Sequence, residues 1–262
     1  MTPPQSNDTV DESTSTARIP YKQIRASYDD ATITVYQAYN AEIAAAAVAA
    51  QRLDASSQFR HTRMTWIKPS WAWMLYRAGY SYKDPGQERI LALTMRREHF
   101  IGLLRRGVLT SHAQRTPEIG ETQPRHEVRQ ADTSKADSGR DSVTPGSSGQ
   151  RRQRKQCKTD HSPAASREVK IQWDPERTVR LGRLDYRSIQ IGIPPGLSEQ
   201  WTHEWIQRID DVTDKARRLK RVLDERPEVT DMELRAMGVV PDERPFEISA
   251  DLQQALGMTL SE

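Results

Sequence analysis

Cysteine is almost missing from this sequence: Cys157 is the single one among 262 residues. One cysteine permits no disulfide framework and no cysteine-built zinc site within the chain. It lies in a polar, basic stretch with no partner base beside it, which argues against a catalytic thiol. Apolar residues are also sparse. A hydrophobic content of 35% and a mean hydropathy of −0.80 are low for a chain packed throughout, so part of it is expected to be disordered. No apolar run approaches the ~20 residues that a membrane-spanning helix needs. Met1-Thr-Pro-Pro-Gln-Ser6 has neither the basic start nor the apolar core of a secretory signal. The expectation is a protein with no membrane association, intracellular, in the cytoplasm or nucleus. A net charge of only +3 gives no chain-wide attraction for polyanions. Basic charge is local, as in Arg151-Arg-Gln-Arg-Lys155, which reads first as a solvated segment or a localisation signal.

Several chemistries lack their signatures. Gly-x-x-x-x-Gly-Lys-Ser/Thr does not occur, which removes the ordinary phosphate-loop ATPase, and no Gly-x-Gly-x-x-Gly follows a predicted strand. Gly-x-Ser-x-Gly, the serine hydrolase elbow, is absent. His61, His99, His112, His126, His161 and His203 are scattered, none at metal-ligand spacing from another, so no metal is expected.

What is present alternates between strand and helix. Thr32-Ile-Thr-Val-Tyr-Gln-Ala38 sets Ile33 and Val35 against Thr34 and Tyr36, the period of a strand. Asn40 caps a predicted helix from Ala41 to Leu53, whose alanines let it lie close to a sheet. Met64 to Trp66 predict a second strand. Pro69 marks the entry of a helix from Ser70 to Ala78, and Gly79 its end. Arg89–Met95 predicts a buried strand, Arg97–Arg106 an amphipathic helix, and Val169–Trp173 and Tyr186–Gly192 two later strands. Trp201, Trp205, Ile209, Val212, Ala216, Leu219 and Leu223 recur every three or four residues, which predicts one long helix from Ser198 to Leu223. Thr230-Asp-Met-Glu233 is a capping box for a short helix. This interleaving predicts an α/β or α+β fold: a single domain of residues 18–109 and 167–225, with a split, mixed sheet flanked by helices. Residues 1–17 and 110–166 show no periodicity. They are expected to be a disordered N-terminus and a disordered basic, polar insertion, with residues 226–262 a C-terminal helical extension.

The densest chemical signal is the stretch from Arg63 to Tyr80, which holds three of the six tryptophans with Arg63, Lys68 and Arg77. Aromatic planes beside fixed cations suit a flat or phosphorylated ligand. On the predicted helix, Trp71, Met74, Leu75 and Ala78 share a core face, and Trp73, Arg77 and Tyr80 a second face read as the ligand face. The candidate ligand-binding residues are therefore Arg63, Trp66, Lys68, Ser70, Trp73 and Arg77. They are joined by Arg187 and Ser188 of the late strand, where a period of two sets Ser188 and Gln190 opposite Arg187. The simpler alternative makes the tryptophans core anchors and the arginines surface charge.

The motifs Ile24-Arg-Ala-Ser-Tyr-Asp-Asp30, Arg63-Met-Thr-Trp-Ile-Lys-Pro-Ser70, Gln172-Trp-Asp-Pro-Glu176 and Tyr186-Arg-Ser-Ile-Gln-Ile-Gly192 resemble an uncharacterised family named domain of unknown function 4291. The resemblance spans residues 20–107 and 168–223 and implies no activity. The order of elements also resembles that of ADP-ribosyltransferases, which grip NAD between two split sheets. That resemblance implies catalytic positions at Tyr36 or Gln37 on the first strand and at Gln190 on the late strand, with Ser70 and Trp73 between them, and NAD as the cofactor. The sequence departs from that pattern at Gln190, where a glutamate is expected; an amide cannot act as a base. Three readings follow. One is a transferase or other protein that binds NAD, another nucleotide or a phosphorylated ligand. The second is an RNA-binding module using the same aromatics. The third is an interaction protein that docks a partner through the helix 198–223.

Overall fold

The computed structural model of the chain describes residues 19–110 and 166–258. The disorder expected for residues 1–17 and for 110–166, the end residues Thr110 and Ser166 aside, lies outside them. The described strands form three sheets, with seven α-helices among and around them. The first sheet is antiparallel and contains strands β2 (Thr32–Tyr39), β4 (Arg89–Arg96) and β8 (Ile206–Asp211), with β4 in the middle. β2 and β4 pair along their whole length, from Thr32 opposite Arg96 to Tyr39 opposite Arg89. The alternation read in β2 buries Ile33 and Val35, but Tyr36 and Gln37 are both buried, because here the strand is covered on both faces.

The second sheet is mixed. Its order is β3 (Thr65–Ile67), β7 (Arg183–Ile193), β6 (Val169–Arg177) and β5 (Gly107–Leu109), with only β5 and β6 parallel. A two-residue bridge joins the two sheets: Tyr36 N–H donates to Lys68 O at 2.7 Å and Lys68 N–H to Tyr36 O at 3.2 Å. The sheets are thus tied at one point and diverge from it. A third, minimal sheet pairs β1 (Arg25–Ala26) with β9 (Arg244–Pro245).

Helices α1 (Ala41–Ala50) and α2 (Trp71–Ala78) follow β2 and β3. Asn40 accepts the Ile43 N–H and Ser70 the Trp73 N–H, each satisfying a donor that the first turn leaves unpaired. α2 ends at Gly79 with φ +56°, and a Cβ there would lie 2.8 Å from that of Lys83, so glycine is required for both conformation and space. The bare inner face of α1 buries Ala44 and Ala47. Gln51, the cap after its last residue, turns a side chain onto β8: its Nε2 donates to Ile209 O at 2.9 Å and its Oε1 accepts from Ile209 N–H at 2.8 Å, pairing the outer edge of that strand as a short strand would. α3 (Arg97–Arg105) follows β4 directly.

The helix expected over 198–223 is not continuous. A short α4 (Ser198–Gln200) and a π-helical turn (Trp201–Trp205) lead into β8, and only then does α5 (Thr213–Glu225) begin. Ile206 and Ile209 are three apart, a helical spacing, yet both are buried in a strand. The pairing register slips between Thr94 and Met95, so one extra residue is accommodated and two inward side chains come to lie three apart. The segment expected to be a helical extension also differs. α6 (Asp231–Ala236) and α7 (Ala250–Ala255) are helical, but between them β9 enters a sheet, and Phe246, Leu252 and Leu256 belong to the main core. Trp173 Nε1 donates to Leu256 O at 3.0 Å, so the segment closes over β6 instead of trailing from it.

Candidate functional site

Where the two sheets diverge from the Tyr36–Lys68 bridge they leave a cleft of about 710 Å³. Gln37 and Tyr39 reach it from the end of β2, Thr65 and Trp66 from β3, Met74 and Arg77 from α2, and Gln172 and Gln190 from the neighbouring strands β6 and β7. Phe59, Arg60 and Arg63 come from the loop before β3, and Asp84 and Gln87 from the loop before β4. The half-buried indole of Trp66 lies over Gly192, its partner across the β3–β7 ladder; a Cβ on Gly192 would come within 3.1 Å of that ring. A bare backbone at this position is what admits the indole.

The cations of the cleft set its character. Arg60, Arg63 and Arg77 are exposed. Lys68 is only 5% exposed and stands on the floor. Among the described residues none of these four makes a side-chain hydrogen bond or an ion pair with a carboxylate. Burial, reinforced by the Arg77 guanidinium, pushes the Lys68 ammonium down to about 8, against the opposing pull of Asp174. Asp174 is pushed above its ordinary value by burial, with Lys68 and a Gln190 hydrogen bond acting the other way. A half-buried acid and a buried amine thus act on each other's charge, each with its charged form disfavoured by desolvation.

The amides are held in defined orientations. Gln190 Nε2 donates to Gln172 Oε1 at 2.9 Å and to Asp174 Oδ2 at 2.7 Å, which uses both amide hydrogens and leaves the carbonyl oxygen as the free acceptor. Gln37 Nε2 donates to Thr65 Oγ1 at 2.6 Å and to Trp66 O at 3.2 Å, while Tyr39 Oη donates to Gln37 Oε1 at 3.0 Å. Gln37 is therefore committed to joining β2 to β3. Burial raises the Tyr39 phenol to about 12, with the Thr65 hydroxyl opposing, so it remains a neutral donor at ordinary pH.

Of the residues singled out from sequence, Gln37, Arg63, Trp66, Lys68, Arg77 and Gln190 line this one cleft. The others are placed elsewhere. Tyr36 alternates away from Gln37 into a second apolar cluster, its ring 5.1 Å from that of Trp71. Trp73 is 7% exposed and stacks on Tyr76 at 5.2 Å, and Tyr80 is buried with its hydroxyl on Val179 O, so the second helix face is largely a packing face. It is Met74, assigned by periodicity to the core, that lines the cleft beside Arg77. Arg187 is 9% exposed on the far face of β7, donating to Tyr21 Oη at 2.6 Å and Trp173 O at 3.0 Å. Sequence reasoning passed over Phe59, Arg60, Gln172 and Asp174. The last two carried a signal: Gln172, Asp174 and Glu176 alternate with Ile171 and Trp173, so one face of β6 is polar while the other is core.

That polar row continues beyond the cleft into a largely covered acidic cluster. Ser70 and Ser188 belong here, beside the buried Glu176. Glu243, just before β9, accepts the Trp71 N–H at the start of α2 at 2.6 Å. Burial pushes Glu243 up to about 8; Glu176 adds to this, while the Trp71 N–H, Arg25 and Lys215 oppose it. Glu176 is raised by burial too, with the Arg177 N–H and the two serine hydroxyls favouring its charged form. Tyr186 is raised by burial and then by Glu176. Among the described residues no group of three or more His, Cys, Asp or Glu side chains is arranged to hold a metal ion.

The chain belongs to the family described as Domain of unknown function (DUF4291), whose model matches residues 23–246. The match runs past residue 223 to Phe246, the first core residue after β9, in keeping with the place of that segment in the fold. No curated protein and no solved structure matches the chain.

Proposed function

We propose that the cleft between the two sheets binds a nucleotide carrying a pyrophosphate, of the NAD or ADP-ribose class. The observation that carries this reading is the set of four cations, Arg60, Arg63, Lys68 and Arg77, gathered on one cleft without carboxylate partners among the described residues. Charges that serve only solubility spread over a surface, and charges that serve the fold find partners; these do neither. The guanidinium groups of Arg63 and Arg77 offer forks for phosphate oxygens. Trp66 offers a ring face, and the free carbonyl of Gln190 an acceptor for a ribose hydroxyl.

The same reading extends to transfer of an ADP-ribosyl group. Such a reaction runs through an oxocarbenium-like state, in which positioning and charge stabilisation matter more than a strong base. Gln190 occupies the position where a glutamate is expected; the acid closest to that role is Asp174, to which Gln190 is hydrogen-bonded. Calorimetric titration with NAD, ADP-ribose, ADP and adenosine tests the reading. It requires binding by the three pyrophosphate compounds and little by adenosine. Equal binding of adenosine, or heat from none of them, removes it.

A second reading, single-stranded RNA, is favoured by one observation. Arg217, Arg218, Lys220 and Arg221 of α5 line a separate groove with Asp214, Asp224, which pairs with Lys220, and Tyr82, which is 65% exposed with the Arg217 guanidinium 5.3 Å from its ring centre. Aromatic rings beside arginines stack bases, and phosphate contacts weaken steeply with salt. RNA affinity that falls with salt and is lost in Tyr82→Ala supports it; affinity indifferent to Tyr82 does not.

A further inference from the structure

We propose that Lys68 is a covalent site: its Nζ forms an imine with the open-chain aldehyde of a phosphorylated ribose whose charged part lies against Arg63 and Arg77. This rests on the reading that the cleft takes such a ligand, and it adds a reaction and a nucleophile to it.

Three features single Lys68 out. The first is position: its backbone forms the bridge between the two sheets, so the side chain leaves the most constrained point of the fold and reaches the floor of the cleft. The second is that the ammonium is unspent. It is 5% exposed, yet among the described residues it makes no ion pair or hydrogen bond. Its Nζ is not among the buried side-chain atoms left without a partner, so it opens onto the cleft, where a ligand would meet it. The third is the company it keeps. Asp174 lies close enough to act on its charge and is itself hydrogen-bonded to Gln190, and Arg77 adds positive charge beside it. Burial and Arg77 bring the ammonium to about 8, so a substantial fraction is the free amine at mildly alkaline pH, which is the form that attacks a carbonyl.

The step balances without a further co-reactant. The neutral amine adds its lone pair to the C1 aldehyde carbon, and the carbonyl oxygen takes a proton to give a carbinolamine. Loss of one water, its departing hydroxyl protonated by the Asp174 carboxyl and the second nitrogen proton returned to the Asp174 carboxylate, leaves the imine and restores the acid. Asp174 is suited to exchange that proton because burial raises its carboxyl above its ordinary value, with Lys68 and Gln190 acting the other way. The compound that fits is a nucleotide with a reducing sugar end. ADP-ribose has one; NAD and ADP do not.

Trapping tests this on the intact chain. The protein is incubated with ADP-ribose and cyanoborohydride, which reduces an imine to a stable secondary amine, then digested and mapped by mass spectrometry. The expected result is an adduct on Lys68 at least about tenfold above that on Lys22, Lys83 or Lys215, suppressed by excess ADP. Its yield should rise through pH of about 8, whereas ordinary lysines follow a rise near 10.4. Adducts spread evenly over the lysines overturn the proposal. So does an unmodified Lys68 in protein whose melting temperature ADP-ribose raises, since the ligand is then bound without reacting. If ADP-ribose produces neither adduct nor thermal shift, the reading of the cleft fails and the covalent proposal fails with it.

Discussion

Two polar regions flank α2, and they treat charge in opposite ways. On the cleft side, Arg63, Arg77 and Lys68 make no ion pair with a carboxylate among the described residues, and Asp174 acts on Lys68 only through its field. On the side of the helix N-terminus, the buried Glu176 and the partly buried Glu243 lie among donors: the Trp71 and Arg177 N–H groups, the hydroxyls of Ser70 and Ser188, and Arg25 and Lys215 nearby. The acidic region spends its hydrogen bonds inside the protein, and its members join α2, β6, β7 and the segment before β9. The basic region spends almost none. Unpaired charge at the edge of a cleft is available to a ligand, and answered charge in a largely covered cluster is available only to the fold.

The largest difference should appear when α2 is cut on each side. Trp71 is 2% exposed, packs on Tyr36 and donates its N–H to Glu243. Trp71→Ala should lower unfolding free energy by about 3–5 kcal/mol, as large-to-small changes in a core do. Arg77→Ala, two turns along on an exposed position, should stay within about 0.5 kcal/mol of wild type. Urea denaturation of both variants decides it. Comparable losses from the two would mean that the cleft cations also hold the fold together and would end the contrast.

Titration should show the two regions as mirror images. Glu243 has a folded-state value of about 8 against an ordinary 4.5. Its contribution is fully present below about 4.5 and is lost as pH rises through about 8. Lys68 is displaced the other way, from 10.5 to about 8, so the native state holds fewer protons than the unfolded state between these values and gains stability as pH rises across them. Glu243→Gln should flatten the fall between pH 4.5 and 8, and Lys68→Met the rise between pH 8 and 10; each slope should be on the order of a few kcal/mol in total. Above pH 10 the buried Tyr36, Tyr39 and Tyr80 oppose the rise, since their phenols are held neutral in the fold. Chemical denaturation at a series of pH values measures both windows. A Glu243→Gln variant that keeps the wild-type slope would show that the acid pair is not the source.

How far the sequence made this legible depended on what kind of regularity each part left in it. Strand alternation placed β2, β6 and β7, and Asn40 as a cap and Pro69 as a helix entry placed the starts of α1 and α2. The clustering of Arg63, Trp66, Lys68 and Arg77 within one strand–helix unit was local, so it survived as one wall of the cleft. The long helix was misread because a bulge gives a strand a three-residue apolar spacing, which periodicity cannot tell from a helix turn. The acidic cluster was invisible for a different reason. Glu176 and Glu243 are far apart in sequence, and only the pairing of β1 with β9 brings the second to α2. Ser70 and Ser188 were read as ligand-binding residues, but the fold turns them toward these acids and away from the cleft. On α2 a period of 3.6 separated two faces, yet Tyr76 stacks on Trp73 and the turn after β6 takes the Tyr80 hydroxyl, so the flank that periodicity had left to a ligand is packed.

Binding should separate the cleft cations from the fold. Arg77→Ala should cost about 1.5–3 kcal/mol of affinity for ADP-ribose, the range for a hydrogen bond to a charged group. The melting curve should be nearly unchanged, because Arg77 makes no side-chain contact with a carboxylate or backbone oxygen among the described residues. Calorimetric titration at fixed salt reads the first and circular dichroism the second. An unchanged affinity would show that Arg77 is ordinary surface charge and would leave Arg60, Arg63 and Lys68 to carry the site.

The smallest effect should come from Trp73, which the helical period alone would have made a ligand residue. Its ring stacks on Tyr76, which carries the Arg177 guanidinium 3.7 Å from its centre, and its indole N–H is buried without a partner. Replacing the indole by a benzene ring removes that unsatisfied donor together with some apolar area, two changes of opposite sign. Trp73→Phe should therefore lie within about 1 kcal/mol of wild type in stability and bind ADP-ribose with unchanged affinity. Trp66→Phe is the matched variant inside the cleft. Loss of its larger ring face should weaken ADP-ribose binding by up to about 1–3 kcal/mol, the worth of a base–aromatic stack. The two substitutions remove the same atoms from the same residue type a short distance apart in sequence. A binding loss at Trp73 equal to that at Trp66 would mean that the ligand contacts the helix face the structure gives to packing, and the line drawn here between the open and covered sides of α2 would have to move.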